Sequence, residues 1–142
     1  MAIIVTGTPG TGKTTVAKQL AKEKHYQYLD LNEFSRIAGA IEGKDEERDT
    51  MIVDEEKVVK ALVNAIKKDP KVVIDGHFSH EIPAKYVEKC IVTKTKLDEL
   101  KKRLEKRGYS AAKVKENMDA EIFDTCQQEA LAKSHKVTVV WT

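Results

Sequence analysis

Cysteine is scarce here: Cys90 and Cys126 are the two in 142 residues, without the paired spacing that builds a zinc site or a redox motif. The pattern predicts two reduced thiols and argues against a disulfide framework. Proline is nearly as scarce, at three, and the seven glycines are not gathered into tracts. No flexible or proline-rich linker therefore divides the chain, and no internal repeat or low-complexity segment is found. Long apolar runs are missing too. The opening run Ala2–Val5 covers about four residues without a basic flank, too short for a secretory leader, and nothing approaches the ~20 apolar residues of a membrane span. A soluble, intracellular protein without membrane contact is expected. Nor is there an excess of one charge: with 34% charged residues the net charge is only +2, which argues neither for nor against nucleic acid. The basic residues are densest from Lys94 to Lys115. The length suits one domain, residues 1–142, with small accessory parts.

What is present is concentrated in one stretch. The β-branched run Ala2–Val5 is cut off by Gly7, and Val16, Ala17, Leu20 and Ala21 recur at helical spacing. Between them stands GTPGTGKTT, Gly7 to Thr15, a strand-to-helix turn of the form G-x-x-x-x-G-K-T. Glycines there let backbone amides wrap an anion at the positive end of the following helix. Lys13 would reach the β- and γ-phosphates of a nucleoside triphosphate, and the Thr14 hydroxyl would bind its magnesium ion. Gly7, Pro9, Gly10, Thr11, Gly12, Lys13, Thr14 and Thr15 are the candidate nucleotide-binding residues.

The rest of the chain alternates strand and helix. Expected are strands at Ala2–Thr6, Tyr26–Leu29, Lys71–Asp75, Tyr86–Val92 and Val137–Trp141. Helices are expected at Lys13–Lys24, Asn32–Ala38, Asp54–Lys68, from a capping-box-like start at Thr95 and Asp98 to Gly108, and from Ser110 through about Ser134. Gly39–Thr50 breaks the pattern with glycines and polar residues and reads as a surface excursion, where substrate-gripping segments tend to sit. Five alternating strands imply an α/β fold with a parallel sheet covered on both faces and ligands at the carboxyl ends of its strands. The strand KVVID ends in Asp75, which could hold a magnesium water shell beside the glycine-rich turn. His77 follows two residues on and is read as functional. A metal site at His80 would need further ligands, so His80 reads as a loop residue.

Taken with these features, GTPGTGKT, the D-x-H of Asp75-Gly76-His77, MIVDEEKVV at Met51–Val59, R-L-x-x-R-G-Y at Arg103–Tyr109 and KENMDAEI at Lys115–Ile122 resemble the P-loop nucleoside monophosphate kinases. Within them the chain is most similar to the adenylate kinase isoenzyme six family of archaea and eukaryotic nuclei, over nearly its whole length. The resemblance implies a three-layer P-loop kinase fold with an acceptor-binding segment at 31–56 and a short lid at 103–113. It implies magnesium-dependent transfer of the ATP γ-phosphoryl group to a nucleoside monophosphate, AMP foremost, with ATP hydrolysis associated with His77. Its cofactors are ATP and Mg2+, its location cytoplasmic or, in a eukaryote, nuclear. The alternative output it implies is ATP-driven binding and release of a small-subunit ribosomal protein near ribosomal RNA, which the basic segment Lys94–Lys115 would suit.

Residue by residue, the resemblance puts Arg36 and Asp54 on the acceptor, with Arg36 in a loose G-D-x-x-R match in which Glu33 takes the aspartate position. Arg103 and Arg107, four apart on one helix face, would lie in the lid, across the transferring phosphoryl group and the adenine end of ATP. Together with Lys13, Asp75 and His77 they make up the catalytic set. Two departures stand out. General adenylate kinases follow the aspartate with G-F-P-R, whose arginine grips the monophosphate; here Ser79 takes its place. The family also continues beyond the last strand into an adenine-contacting loop and a helix, whereas this sequence stops at Thr142, so an incomplete adenine pocket and an uncovered sheet face are expected.

Overall fold

The computed structural model describes residues 1–46 and 50–142. Residues 47–49 of the expected polar excursion lie outside the described residues. The elements run β1 (Ala2–Gly7), α1 (Lys13–Lys24), β2 (Gln27–Asp30), α2 (Leu31–Ile37), β3 (Ile41–Asp45), β4 (Thr50–Val53), α3 (Glu55–Lys68), β5 (Val72–Asp75), β6 (Val87–Lys94), α4 (Leu97–Lys106), α5 (Ala111–Ile122), α6 (Thr125–Ala132) and β7 (Val137–Trp141). Two short 3-10 turns, Ser79–Glu81 and Ala84–Tyr86, precede β6. Five strands form one parallel sheet in the order β2-β5-β1-β6-β7, as the alternation predicted.

Side chains of a strand point alternately to opposite faces, and the sheet sorts them accordingly. Ala2 and Ile4 of β1 join Val72 and Ile74 of β5 on one face, beneath Val58, Leu62 and Ile66 of α3. Ile3, Val5 and Val73 face the other way onto Ala17 and Ala21 of α1. All six residues of β1 are buried, so this strand is central in depth as well as order. Each large aliphatic side chain buried there contributes about 1.5–3 kcal/mol.

Four expectations are corrected. The excursion after Gly39 opens an antiparallel pair, β3 with β4; β3, IEGKD, is mostly polar, and β4, TMIV, is a short apolar run without alternation. The proposed Thr95–Asp98 capping box does not form: Lys96 is the N-cap of α4 without a side-chain cap, and the Thr95 hydroxyl faces Thr142 and Arg103 instead. Ser110 does cap the next helix, accepting from Lys113 N–H, but that helix stops at Ile122. Asp124 takes a left-handed conformation, φ 53°, and a separate helix α6 begins. Finally, His80, read as a loop residue, lies in the 3-10 turn Ser79–Glu81 and is buried, 1% exposed.

Candidate functional site

Leaving the sheet centre at Gly7, the chain enters a turn that only glycine can make. Gly7 has φ 151°, and a Cβ built on it would lie 2.4 Å from Thr93 Oγ1. Gly12, φ 82°, is the N-cap of α1 and offers no side-chain acceptor, so the first N–H groups of α1 remain available to an anion. Thr11 fastens the loop from beneath: its Oγ1 donates to Thr8 O at 2.6 Å and lies 2.7 Å from Thr93 Oγ1. The Lys13 Nζ donates to the same Thr8 carbonyl at 3.3 Å. Burial lowers the Lys13 pKa to about 8, against the opposing pull of Asp75.

Register places the second group. Val5 of β1 pairs with Asp75 of β5, and Asp75 lies two residues beyond Val73, hence on the face covered by α1. There Thr14 Oγ1 donates to Asp75 Oδ2 at 2.7 Å. Tyr28 of β2, paired with Val73, donates its hydroxyl to the same oxygen at 2.7 Å. Burial first, then the bond to Asp75, raises the Tyr28 pKa, so it stays a donor. The Thr14 hydroxyl and the Asp75 carboxylate are hard oxygen donors side by side, a set that fits a magnesium ion keeping most of its other ligands from water and phosphate.

These groups open onto a cleft of about 1070 Å³. This lies at the upper end of the roughly 300–1,000 Å³ of a single drug-sized ligand. Pro9, Gly10, Gly12, Lys13, Thr14, Thr15, Asp75 and His77 line it, while Gly7 and Thr11 lie underneath. His77 is exposed to the cleft. Enclosure by the cleft walls, with Lys13 the foremost of the positive charges acting on it, lowers its pKa to about 4, which makes it neutral at pH 7. Its carbonyl accepts from Thr6 Oγ1 at 3.1 Å and from Cys126 Sγ at 3.6 Å. Arg36 lines the wall formed by α2 and is ion-paired with Glu33 on its own helix.

The two arginines expected in a lid part company. Arg107 lines the cleft with Tyr109 and Lys113, donating to Tyr109 Oη at 3.3 Å, and Lys113 Nζ lies 4.1 Å from the Tyr109 ring centre. Arg103 does not line it. Its guanidinium donates to Gly10 O at 3.2 Å, Thr95 Oγ1 at 3.2 Å and Thr142 Oγ1 at 3.0 Å, which braces the back of the glycine-rich loop. Thr142 Oγ1 in turn donates to Thr11 O at 2.9 Å. Asp54 caps α3, accepting from Lys57 N–H at 3.1 Å, and lies outside the cleft lining.

Sequence reasoning passed over Tyr28 and Glu121. Tyr28 was findable: a tyrosine in register with Val73 must share its face with Asp75. Glu121 is the one buried residue of α5. It accepts from Thr8 Oγ1 at 3.3 Å and from Thr95 N–H at 3.0 Å, and Lys94 Nζ lies 3.9 Å away.

Residues 3–124 match the family model described as an AAA domain. A Methanocaldococcus jannaschii protein named "Putative adenylate kinase" is 37% identical over 137 residues, covering 96% of this chain and 76% of that protein. The Saccharomyces cerevisiae "Adenylate kinase isoenzyme 6 homolog FAP7" is 36% identical over 130 residues, covering 91% and 66%. Shikimate kinase from Acinetobacter baumannii superposes with a TM-score of 0.65 at 18% identity, covering 99% of this chain and 83% of that one, a likeness of fold. A glycine-rich loop held between β1 and α1, a strand-end aspartate bonded to its threonine, and relatives at this identity converge: the chain belongs to the P-loop kinases of the adenylate kinase isoenzyme 6 family.

Proposed function

We propose that the protein transfers the γ-phosphoryl group of magnesium-bound ATP to a nucleoside monophosphate, AMP foremost, with residues 1–142 working as one kinase domain. The observation that carries this reading is the cleft itself, whose lining brings Lys13, Thr14 and Asp75 together with Arg36 of α2. In the reaction an α-phosphate oxygen of the monophosphate bonds to the γ-phosphorus while the bond from that phosphorus to the β-phosphate oxygen breaks, giving two diphosphates. Such transfer needs positioning and charge neutralisation more than covalent chemistry. The loop amides and Lys13 would hold the β- and γ-phosphates, and Arg107 would cross the transferring group from the lid, 103–113. Arg36 would grip the acceptor phosphate from the 31–56 segment. Thr14 and Asp75 would hold magnesium, which when bound would supply charge neutralisation on the phosphates. Closing the lid and the β3–β4 segment over the cleft would exclude water.

A second output, ATP hydrolysis, is favoured by one observation. His77 lines the same cleft as Lys13 and Asp75, and its unprotonated imidazole would orient an attacking water by accepting its hydrogen bond. Hydrolysis coupled to a small-subunit ribosomal protein belongs to this same reading, with a cytoplasmic or nuclear location. Among the described residues no helix is long and apolar enough to cross a membrane.

The deciding experiment follows ATP consumption with and without each monophosphate, and with ribosomal proteins added, in the parent and in Arg36→Ala. Arg36 is exposed, so its replacement should leave the fold intact. A charge-assisted hydrogen bond of about 1.5–3 kcal/mol predicts a ten- to hundredfold rise in KM for AMP with acceptor-free hydrolysis unchanged. Equal loss of both activities would move Arg36 to the ATP site.

A pH dependence follows from Lys13. Only its protonated form attracts phosphate, and bound phosphate raises its pKa above the free value of about 8. Affinity for magnesium ATP is therefore expected to stay level from about pH 6 to pH 7.5 and to fall by up to about tenfold per unit above about pH 8. Calorimetric titration across that range measures it; a flat profile to about pH 10 would remove Lys13 from the phosphate site.

A further inference from the structure

In the lining of the same cleft, three donors from two elements converge: His80 Nε2, Glu81 Oε1 and Glu129 Oε2, all within 4.8 Å of one another. His80 comes from the 3-10 turn after β5 and Glu129 from α6, so the grouping is made by tertiary structure and leaves no trace in sequence spacing. The imidazole is buried and held from behind. Thr6 Oγ1 donates its single proton to the His77 carbonyl at 3.1 Å and lies 2.9 Å from His80 Nδ1, so Nδ1–H must be the donor between them. That leaves the Nε2 lone pair facing the cleft, and His135 Nε2 fixes the backbone by donating to His80 O at 2.8 Å.

Nε2 then points at Glu129 Oε2, 2.6 Å away, with Glu81 Oε1 at 3.7 Å. A lone pair set against carboxylate oxygen needs a positive charge between them, either a second ring proton or a metal ion. Lys133 supplies charge on the far side only, binding Glu81 Oε2 at 2.9 Å and leaving Oε1 turned toward the imidazole. We propose that His80, Glu81 and Glu129 form a binding site for a divalent first-row transition metal, zinc foremost, at the wall of the cleft. One imidazole and two carboxylates suit such an ion, and Nδ1–H bonded to Thr6 is the outer contact that orients a metal-ligating histidine. Ligand bonds of ~2.1 Å at a tetrahedral angle put donors about 3.4 Å apart. Glu129, 51% exposed, can move outward by the small amount required. The remaining positions would take water or an anionic oxygen. This inference rests on these three residues and not on the nucleotide reading.

The test uses the full chain, nucleotide-free, with cobalt(II) and zinc alone as probes. One equivalent of Co2+ per chain with a visible d–d band, displaced by Zn2+, is expected. Glu129→Gln, at a surface position where folding is retained, should weaken binding at least tenfold, and Glu81→Gln should do the same. Asp75→Asn, at the other cation site, should leave the band in place. Absence of a stoichiometric band overturns the proposal in favour of a protonated His80 paired with Glu129. A band indifferent to Glu129→Gln, or one lost in Asp75→Asn alone, overturns it equally.

Discussion

Lys13→Ala is expected to lower phosphoryl transfer about a thousandfold or more while the protein stays folded. The two halves of that expectation have different origins. Loss of activity follows from position: the ammonium extends from the first residue of α1 over the Thr8 carbonyl at 3.3 Å, and a charge on the transferring phosphoryl group is worth several kcal/mol in a site that excludes water. Retention of the fold follows from the lowered pKa of about 8. The folded protein disfavours this charge relative to the unfolded chain, so removing it relieves a burden and leaves only one long hydrogen bond to lose. Turnover and thermal unfolding measured on one preparation test both halves. Near-normal turnover in a folded Lys13→Ala protein would overturn the phosphate assignment.

The glycine-rich loop was legible because its chemistry is local: nine consecutive residues carry the turn, the helix start and the lysine. The parallel sheet was legible because strands buried on both faces read as apolar runs, as β1 and β5 do. What could not be read depended on contacts distant in sequence. The β3–β4 pair lacks an apolar alternation because its strands lie partly exposed outside the main sheet. The break at Phe123–Asp124 carries no glycine or proline, and Asp124, in its left-handed conformation, is ion-paired with Lys94 of β6. The spacing of Arg103 and Arg107 predicted one shared helix face. Yet Arg103 lies within the helix and reaches back to Gly10 O, whereas Arg107 is its C-cap and turns to the cleft. Spacing fixes a direction, and the neighbouring surface decides what lies along it.

Glu121→Ala is expected to destabilise the fold by about 3 kcal/mol and to weaken nucleotide binding with it. A carboxylate as the buried residue of a helix is retained only when its partners are satisfied, and here they come from three places. Thr8 Oγ1 belongs to the glycine-rich loop, Thr95 N–H to the entrance of α4, and Lys94 to the end of β6. Alanine would strand the first two in a dry environment, at about 1–3 kcal/mol each at most, while Lys94 keeps Asp124 as a partner; this limits the loss below that of a fully orphaned charge. The effect should reach the site by a short path. The carbonyl of Thr8 accepts from both Thr11 Oγ1 and Lys13 Nζ, so a loosened Thr8 lets the loop lysine wander. Glu121→Gln keeps an acceptor for Thr8 or Thr95 and should lose about half as much, which separates hydrogen bonding from charge. Urea unfolding curves and ATP-analogue titrations on both variants measure the two effects. Full stability in Glu121→Ala would mean that Asp124 alone holds Lys94, and that the glycine-rich loop is shaped without help from α5.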